Sequence, residues 1–326
     1  TYDVDHQYRP TMQQLFDMIH DQGGLVQVNH ARSGGLAHSS YFSRAHVLFD
    51  ETTKSPYTDP AAQLVDNRFL RYGNEVQYYS HDFDIIEVMN GVYTYLSGDM
   101  VYDSGLESEG HDWMSMLSIG RRITAVGNSD THTLGSYPGS PRTMVGGKNQ
   151  GISGLIKNLS KGNAYVTTGP MLNVQVQDAS GVSAGLGDVL TPSGETITLV
   201  IKAQTPEWFE INRVDVVSNV FFANPAVSQK APRLVEAIPI EKELKTRSNG
   251  ASYYAYEKEI ELNLDDPAFN GQDSWLIVRV GGTESHLFPV IRGGGGTLSV
   301  DATTPEEFLS NRDGKLPFAF TNPIYL

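Results

Sequence analysis

The chain contains no cysteine. Disulfides and thiolate zinc sites are excluded, and any metal chemistry must come from imidazole and carboxylate. Long apolar runs are missing too, and no signal-like segment opens the chain, so a soluble protein without membrane insertion is expected. A cysteine-free chain is compatible with export, and a secreted or periplasmic location is favoured over the cytoplasm. Positive charge is scarce, with 24 Lys and Arg against 38 Asp and Glu and a formal charge of -14. A net field of that sign argues against nucleic acid or an anionic membrane surface as partner. There is no Gly-x-Ser-x-Gly elbow, so a serine-hydrolase mechanism lacks its usual local signature. What remains is a chain of 326 residues, long enough for two domains with separate cores.

One apolar run ends abruptly in polar side chains: Ile123-Thr124-Ala125-Val126-Gly127-Asn128-Ser129-Asp130-Thr131-His132. It reads as a buried strand delivering Asp130 and His132 to its C-terminal end. In extended backbone, residues i and i+2 point to one side, so a carboxylate and an imidazole at that spacing can grip one ion. A strand-to-loop turn capped by Asp130, with His132 merely polar, is the alternative. Gly24-Leu25-Val26-Gln27-Val28-Asn29-His30 has the same form, and Asp84-Ile85-Ile86-Glu87-Val88-Met89-Asn90-Gly91 carries Glu87 and Asn90 near its end. This recurrence of strand, polar end, loop and helix fits a barrel with its chemistry at the C-terminal rim. His30, Asp130 and His132 are ligands suited to zinc, manganese or iron. Asn29, Glu87, Asn90 and Asn128 are expected to orient such ligands by hydrogen bonding, a capped strand end being the alternative for Glu87 and Asn90.

The set Gly23-Gly24-Leu25-Val26-x-Val28-Asn29-His30, Phe83-Asp84-x-Ile86-Glu87-Val88-x-Asn90-Gly91, Gly127-Asn128-Ser129-Asp130-x-His132 and Pro141-Arg142-Thr143 resembles the PHP (polymerase and histidinol phosphatase) superfamily of metal-dependent hydrolases. Within it the chain looks most like the carbaryl-hydrolase-like, CehA/McbA-type branch. Ala164-Tyr165-Val166-Thr167-Thr168-Gly169-Pro170 and Ala319-Phe320-Thr321-Asn322-Pro323-Ile324-Tyr325 resemble that branch as well. The resemblance implies the C-terminal portion of a distorted (β/α)7 barrel, a multinuclear metal site, and phosphoester hydrolysis by metal-activated water. The branch adds carboxylester and carbamate bonds, so the partner is a small-molecule ester or phosphoester. Members of the superfamily carry an early His-x-His pair, and this sequence has none. Part of the metal site is therefore expected upstream of, or outside, this chain, in an N-terminal segment or a companion chain. That partner would also cover the open edge of an incomplete parallel barrel.

The remaining segments are punctuation and scaffold. Pro10 to Asp21 reads as a helix stopped by Gly23-Gly24, with His20 meeting its last carbonyls. Arg32 to Ser80 is a long insertion of the kind that serves as a lid, with a helix expected over Ala61 to Tyr72; His38 and His46 in it either contact substrate or lie on the surface. His81 reads as structural or exposed, and His111 as a cap neighbour ahead of the next helix. Helices are expected over Asp112 to Ile119 and Ser153 to Lys161. Arg142, following a Gly/Ser/Pro-rich loop, is a candidate anchor for a phosphate or carboxylate oxygen, unless it pairs with an acidic loop. Gly169-Pro170 marks a domain boundary, dividing a hydrolase part, residues 1–170, from a β-sandwich accessory domain, residues 171–326, in which Leu172 to Val176, Ile197 to Ala203, Val214 to Phe222, Tyr253 to Leu262, Trp275 to Val280 and Leu287 to Ile291 alternate like antiparallel strands. The competing expectation is a noncatalytic binding module, whose sandwich recognises a polymer or partner.

Overall fold

Thr11 starts the first helix. Its hydroxyl accepts the Gln14 N–H at 3.2 Å while the Gln14 side chain accepts the Thr11 N–H at 2.9 Å, a reciprocal cap on α1 (Met12–His20). The computed structural model describes residues 10–32, 40–59, 79–92, 94–132, 138–147, 151–225, 231–269, 274–285, 287 and 315–326. His38, His286, the helix expected over Ala61 to Tyr72 and most of the strand expected over Leu287 to Ile291 lie outside those residues.

After α1 the chain lays down β1 (Gln27–Val28), and β4 (Ile85–Asn90) and β7 (Thr124–Asn128) join it in a parallel sheet of order β1-β4-β7. Between β1 and β4 come α2 (Tyr41–Ala45) and the hairpin β2 (Val47–Asp50) with β3 (Ser55–Thr58). A second hairpin, β5 (Thr94–Ser97) with β6 (Met100–Asp103), leads into α3 (Glu109–Ser118). β4 is buried on both faces, as a parallel strand covered by other elements must be.

The rest is antiparallel. One sheet runs β11 (Ser183–Gly185), β10 (Met171–Asp178), β12 (Thr196–Pro206), β16 (Ser252–Asn263), β15 (Lys242–Thr246). A second runs β14 (Val235–Pro239), β13 (Arg213–Ser218), β17 (Trp275–Gly281), β18 (Phe318–Thr321), β9 (Ala164–Thr167), β8 (Arg142–Val145), with β19 (Ile324–Tyr325) also on β17. The strict in-out alternation of β10 puts Leu172, Val174 and Val176 against this second sheet. The coarse class read from the sequence, α/β followed by an antiparallel sandwich, is the one observed; among the described residues none of the sheets closes on itself.

The second sheet is the middle layer of three. β17 is buried along its whole length. Its Leu276, Val278 and Val280 enter the sandwich core, while Trp275 and Ile277 enter the core shared with α3 and the parallel sheet. β18 divides likewise, with Ala319 on one side and Phe318 and Phe320 on the other. Residue 170 therefore lies between β9 and β10, strands that both help enclose the sandwich core. On the inner face Arg279 holds Asp215 through two bonds of 2.8 Å, both side chains fully buried, and the guanidinium lies 5.1 Å from the centre of the Tyr102 ring.

The middle sheet meets the parallel sheet at β7. Gly127 lies so close to β9 that a Cβ there would sit 2.3 Å from Val166. On its edge away from β4, β7 pairs with no further strand among the described residues, and side chains replace one. Asn322, fully buried, accepts the Ala125 N–H at 2.7 Å and donates to the Ala125 carbonyl at 2.9 Å and the Ala164 carbonyl at 3.0 Å. The Thr143 hydroxyl does the same for Gly127, at 3.0 Å in each direction. At Ala125 and Gly127 the β7 edge is covered by this chain's own residues.

Several local expectations shift. The helix expected from Asp112 starts at Glu109, so His111 lies inside its first turn and stacks on Phe222 at 3.9 Å. The last helix of this half, α4 (Gly151–Lys161), begins ahead of Ser153. His20 ends α1 as expected, but its Nε2 meets Asp84 Oδ2 at 2.9 Å rather than the helix carbonyls.

Replacing Asn322 by Ala would strand the buried Ala125 N–H and two carbonyls. A loss of roughly 3 kcal/mol is expected, read as a lower denaturant midpoint at unchanged slope. A second test concerns pH. The hydrogen bond that the His20 ring donates to Asp84 raises the His20 pKa above its ordinary 6.5, so the folded chain keeps a proton there that the unfolded chain has lost. Stability from this contact is complete below the unfolded value and is lost as pH rises through the folded one. The melting-temperature gap between wild type and His20→Gln should be widest below about pH 6.5 and narrow as pH rises above it.

Candidate functional site

Glu87 is a carboxylate in the middle of the parallel sheet, 2% exposed, and it is surrounded by donors. Its Oε2 accepts the His30 backbone N–H at 3.1 Å, lies 3.1 Å from His30 Nδ1, and accepts the Asn90 amide at 3.2 Å. Its Oε1 accepts the Asn128 amide at 2.6 Å. Each donor comes from the C-terminal end of one strand: His30 follows β1, Asn90 ends β4 and Asn128 ends β7. The four interactions offset the desolvation of a charge that would otherwise be costly to bury.

The pairing of Glu87 with Asn90 violates strand alternation, because residues i and i+3 face opposite ways in regular extended chain. A bulge resolves it. The register of β4 against β7 slips between Glu87, opposite Val126, and Met89, opposite Gly127. The extra residue returns Asn90 to the side of Glu87. Just beyond the strand ends the backbone takes an unusual turn twice: His30 has φ 50° and Asp130 φ 46°. Left-handed backbone is uncommon outside glycine and concentrates at functional positions.

Asp130 and His132 stay together, as the i, i+2 spacing suggested. His132 Nδ1 lies 2.7 Å from the Asp130 carbonyl and 3.3 Å from its Oδ1, and the imidazole is 74% exposed. The extended geometry behind that expectation is not what joins them, since Asp130 is left-handed. In both imidazoles Nδ1 lies near an oxygen, a Glu87 carboxylate oxygen for His30 and the Asp130 carbonyl for His132. Nitrogen lone pairs beside a carboxylate are the donor chemistry of zinc, manganese and iron sites. Among the described residues, however, no three of His, Asp and Glu are gathered closely enough to enclose one ion.

The other expected residues are placed apart. Asn29 is exposed and accepts from Gln27 at 2.7 Å, away from the Glu87 cluster. Arg142 donates to the Gly139 carbonyl at 3.0 Å. Its neighbour Thr143 points at β7, so by alternation Arg142 shares the other face of β8 with Met144, toward the sandwich. The structure does not bring it to Glu87. His46 terminates α2 in left-handed backbone, and His81 is exposed.

Sequence reasoning missed the anchor of the loop that follows His30. Arg32 grips Asp112 of α3 through Nε and Nη2, both at 2.7 Å, and also donates to the Val47 carbonyl. Complete burial pushes the Asp112 carboxyl up to about 6, with the Arg32 charge opposing the shift. A pairing between residues so far apart in the chain leaves no local pattern. The chain matches no protein-family model, no curated protein and no solved structure.

Exchanging Glu87 for Gln replaces one acceptor oxygen by a donor that faces other donors. The expected cost is about 2 kcal/mol. Hydrogen exchange at the His30 amide should speed up well beyond that of the sheet interior; unchanged protection there would contradict the role assigned to Glu87.

Proposed function

We propose that this chain is part of a metal-dependent hydrolase of the PHP type, with residues 1–170 forming the C-terminal portion of its distorted barrel and residues 171–326 its β-sandwich. Its substrates are small phosphoesters, carboxylesters or carbamates. The observation that carries the reading is the contact between His30 Nδ1 and the buried Glu87 carboxylate at 3.1 Å. A metal-ligating histidine characteristically gives its second ring nitrogen to a carboxylate, which fixes the tautomer and strengthens the ligand. His132 is arranged alike, with the Asp130 carbonyl in place of the carboxylate.

On this reading His30, Asp130 and His132 hold zinc, manganese or iron, and an upstream or companion segment completes a multinuclear site. A divalent ion there would activate water at neutral pH and polarise the bond to be cleaved. The chain's own part is orientation. Glu87 fixes His30, Asn90 and Asn128 fix Glu87, and the Arg32–Asp112 pair tethers the loop that leaves the site. Support also comes from the left-handed backbone at His30 and Asp130, the first residues past the rim that could touch a ligand.

The test is metal content by plasma mass spectrometry after incubation with zinc, manganese or iron, followed by phosphoester, carboxylester and carbamate assays. At least one retained ion per chain is expected, weakened by about 10- to 100-fold in Glu87→Gln and lost in the double variant His30→Ala, Asp130→Ala. A chain that retains no ion, and hydrolyses none of the three bond types when its upstream segment is restored, is not this hydrolase.

A further inference from the structure

The segment that follows β12, Trp208 to Glu210, carries the sandwich to the rim of the parallel sheet. Phe209, 3% exposed, is its plug, packed in one apolar cluster with Leu287 and with Val92, which lies two residues beyond the end of β4. The tip of its ring rests on Gly169, where a Cβ would sit 2.6 Å away. Gly169 is itself at the rim. Asn322 joins Ala125 to Ala164, and Gly127 lies against Val166, so β7 and β9 advance side by side in the same direction. The residues past Thr167 therefore come level with the strand end that carries Asp130. The Gly169-Pro170 step, which reads in the sequence as a boundary, is the seat of a ring from the other half of the chain.

The neighbouring ring is not buried. Trp113 and Trp275 are fully buried, whereas Trp208 is 45% exposed. Its ring centre lies 4.5 Å from that of Phe209 with 74° between the planes, an edge-to-face contact that fixes the indole against a ring wedged into the rim. The backbone that follows is held as well: the Glu210 N–H donates to Ser285 Oγ at 3.1 Å and the Ile211 N–H to the Tyr256 hydroxyl at 3.2 Å. Phe209 already fills the apolar cluster, so packing does not call for a second aromatic side chain here.

We propose that Trp208 is the platform for the organic part of the substrate, and that this part presents a flat ring face: an aryl ring or the C–H face of a sugar. Its place in catalysis rests on the hydrolase reading, but the preference for a ring does not. A flexible chain touches an indole with a few atoms at a time and loses rotamer freedom in doing so, whereas a rigid ring laid on it is already ordered and makes all its contacts at once. Because Phe209 packs on both Gly169 and Val92, the indole stands beside the ends of β9 and β4. A ring seated there and an ester bond at His30, Asp130 and His132 can belong to one small molecule.

Of the three tryptophans only Trp208 is open to acrylamide, so fluorescence quenching reads this surface alone. Quenching is measured on the chain with benzyl alcohol, methyl glucoside and glycerol, all of which carry hydroxyls while glycerol has no ring. Protection by benzyl alcohol or methyl glucoside, and none by glycerol at the same concentration, is expected; which of the two protects tells an aryl group from a sugar. Trp208→Ala should melt with wild type, since Phe209 keeps its place, and should bind the protecting ring about tenfold more weakly by ligand-observed NMR, with Trp208→Phe recovering most of the loss. Equal protection by all three probes, protection by none, or ring binding untouched in a folded Trp208→Ala overturns the proposal whatever the chain hydrolyses. In the metal-loaded protein with its upstream segment restored, Trp208→Ala should raise KM for phenyl phosphate or glucose 1-phosphate about tenfold with kcat little changed. A rise of the same size for glycerol phosphate counts against the platform. If rings bind and nothing is cleaved, the hydrolase reading fails and the platform stands without its place in catalysis.

Discussion

A parallel strand with a free edge must have its backbone groups satisfied by something. At β7 that duty falls on side chains, Thr143 for Gly127 and, reaching furthest, Asn322. The Asn322 amide presents one acceptor and two donors in a plane, enough to imitate a neighbouring strand for Ala125 and to reach on to Ala164 of β9. This clip joins the parallel sheet to the middle sheet. The closeness it requires is visible at Gly127, where no side chain would fit against Val166. Everything at the strand ends inherits its position from that contact.

Within this frame the candidate site is organised by polarity rather than by shape. Glu87 is a buried anion whose neighbours are all donors, and the bulge in β4 is what lets Asn90 be one of them.

Much of this was legible in the sequence where the signal is local. The alternation of Leu172, Val174 and Val176 foretold β10, the apolar positions Met12, Leu15, Phe16 and Ile19 foretold α1 although Leu15 stays exposed, and Glu87, Asn90 and Asn128 were singled out because each ends an apolar run. Asn29 shares that position and is turned to the surface, since a two-residue strand leaves it outside the pleat. Long-range pairings were not legible. Nothing near Arg32 announces Asp112, nothing near Asp215 announces Arg279, and Asn322 reads as an ordinary turn residue before proline. The face of Arg142 was missed for a related reason: alternation tells which residues share a side, and only the contact of Thr143 with Gly127 tells which side that is.

Asn322 and Ala125 are 197 residues apart, and the Thr94 hydroxyl bonds Leu316 across 222. During synthesis, β7 and β9 therefore emerge long before the segment that seals them, and at translation speeds of about 5–20 residues per second they wait on the order of ten seconds or more. For that interval the nascent chain offers an unsealed strand edge with apolar side chains above and below it. Contacts this distant also close slowly once available. The ends of β4 and β7, where the proposed site lies, should be among the last parts of the molecule to become rigid, so a newly made chain would acquire its shape well before the order of that site.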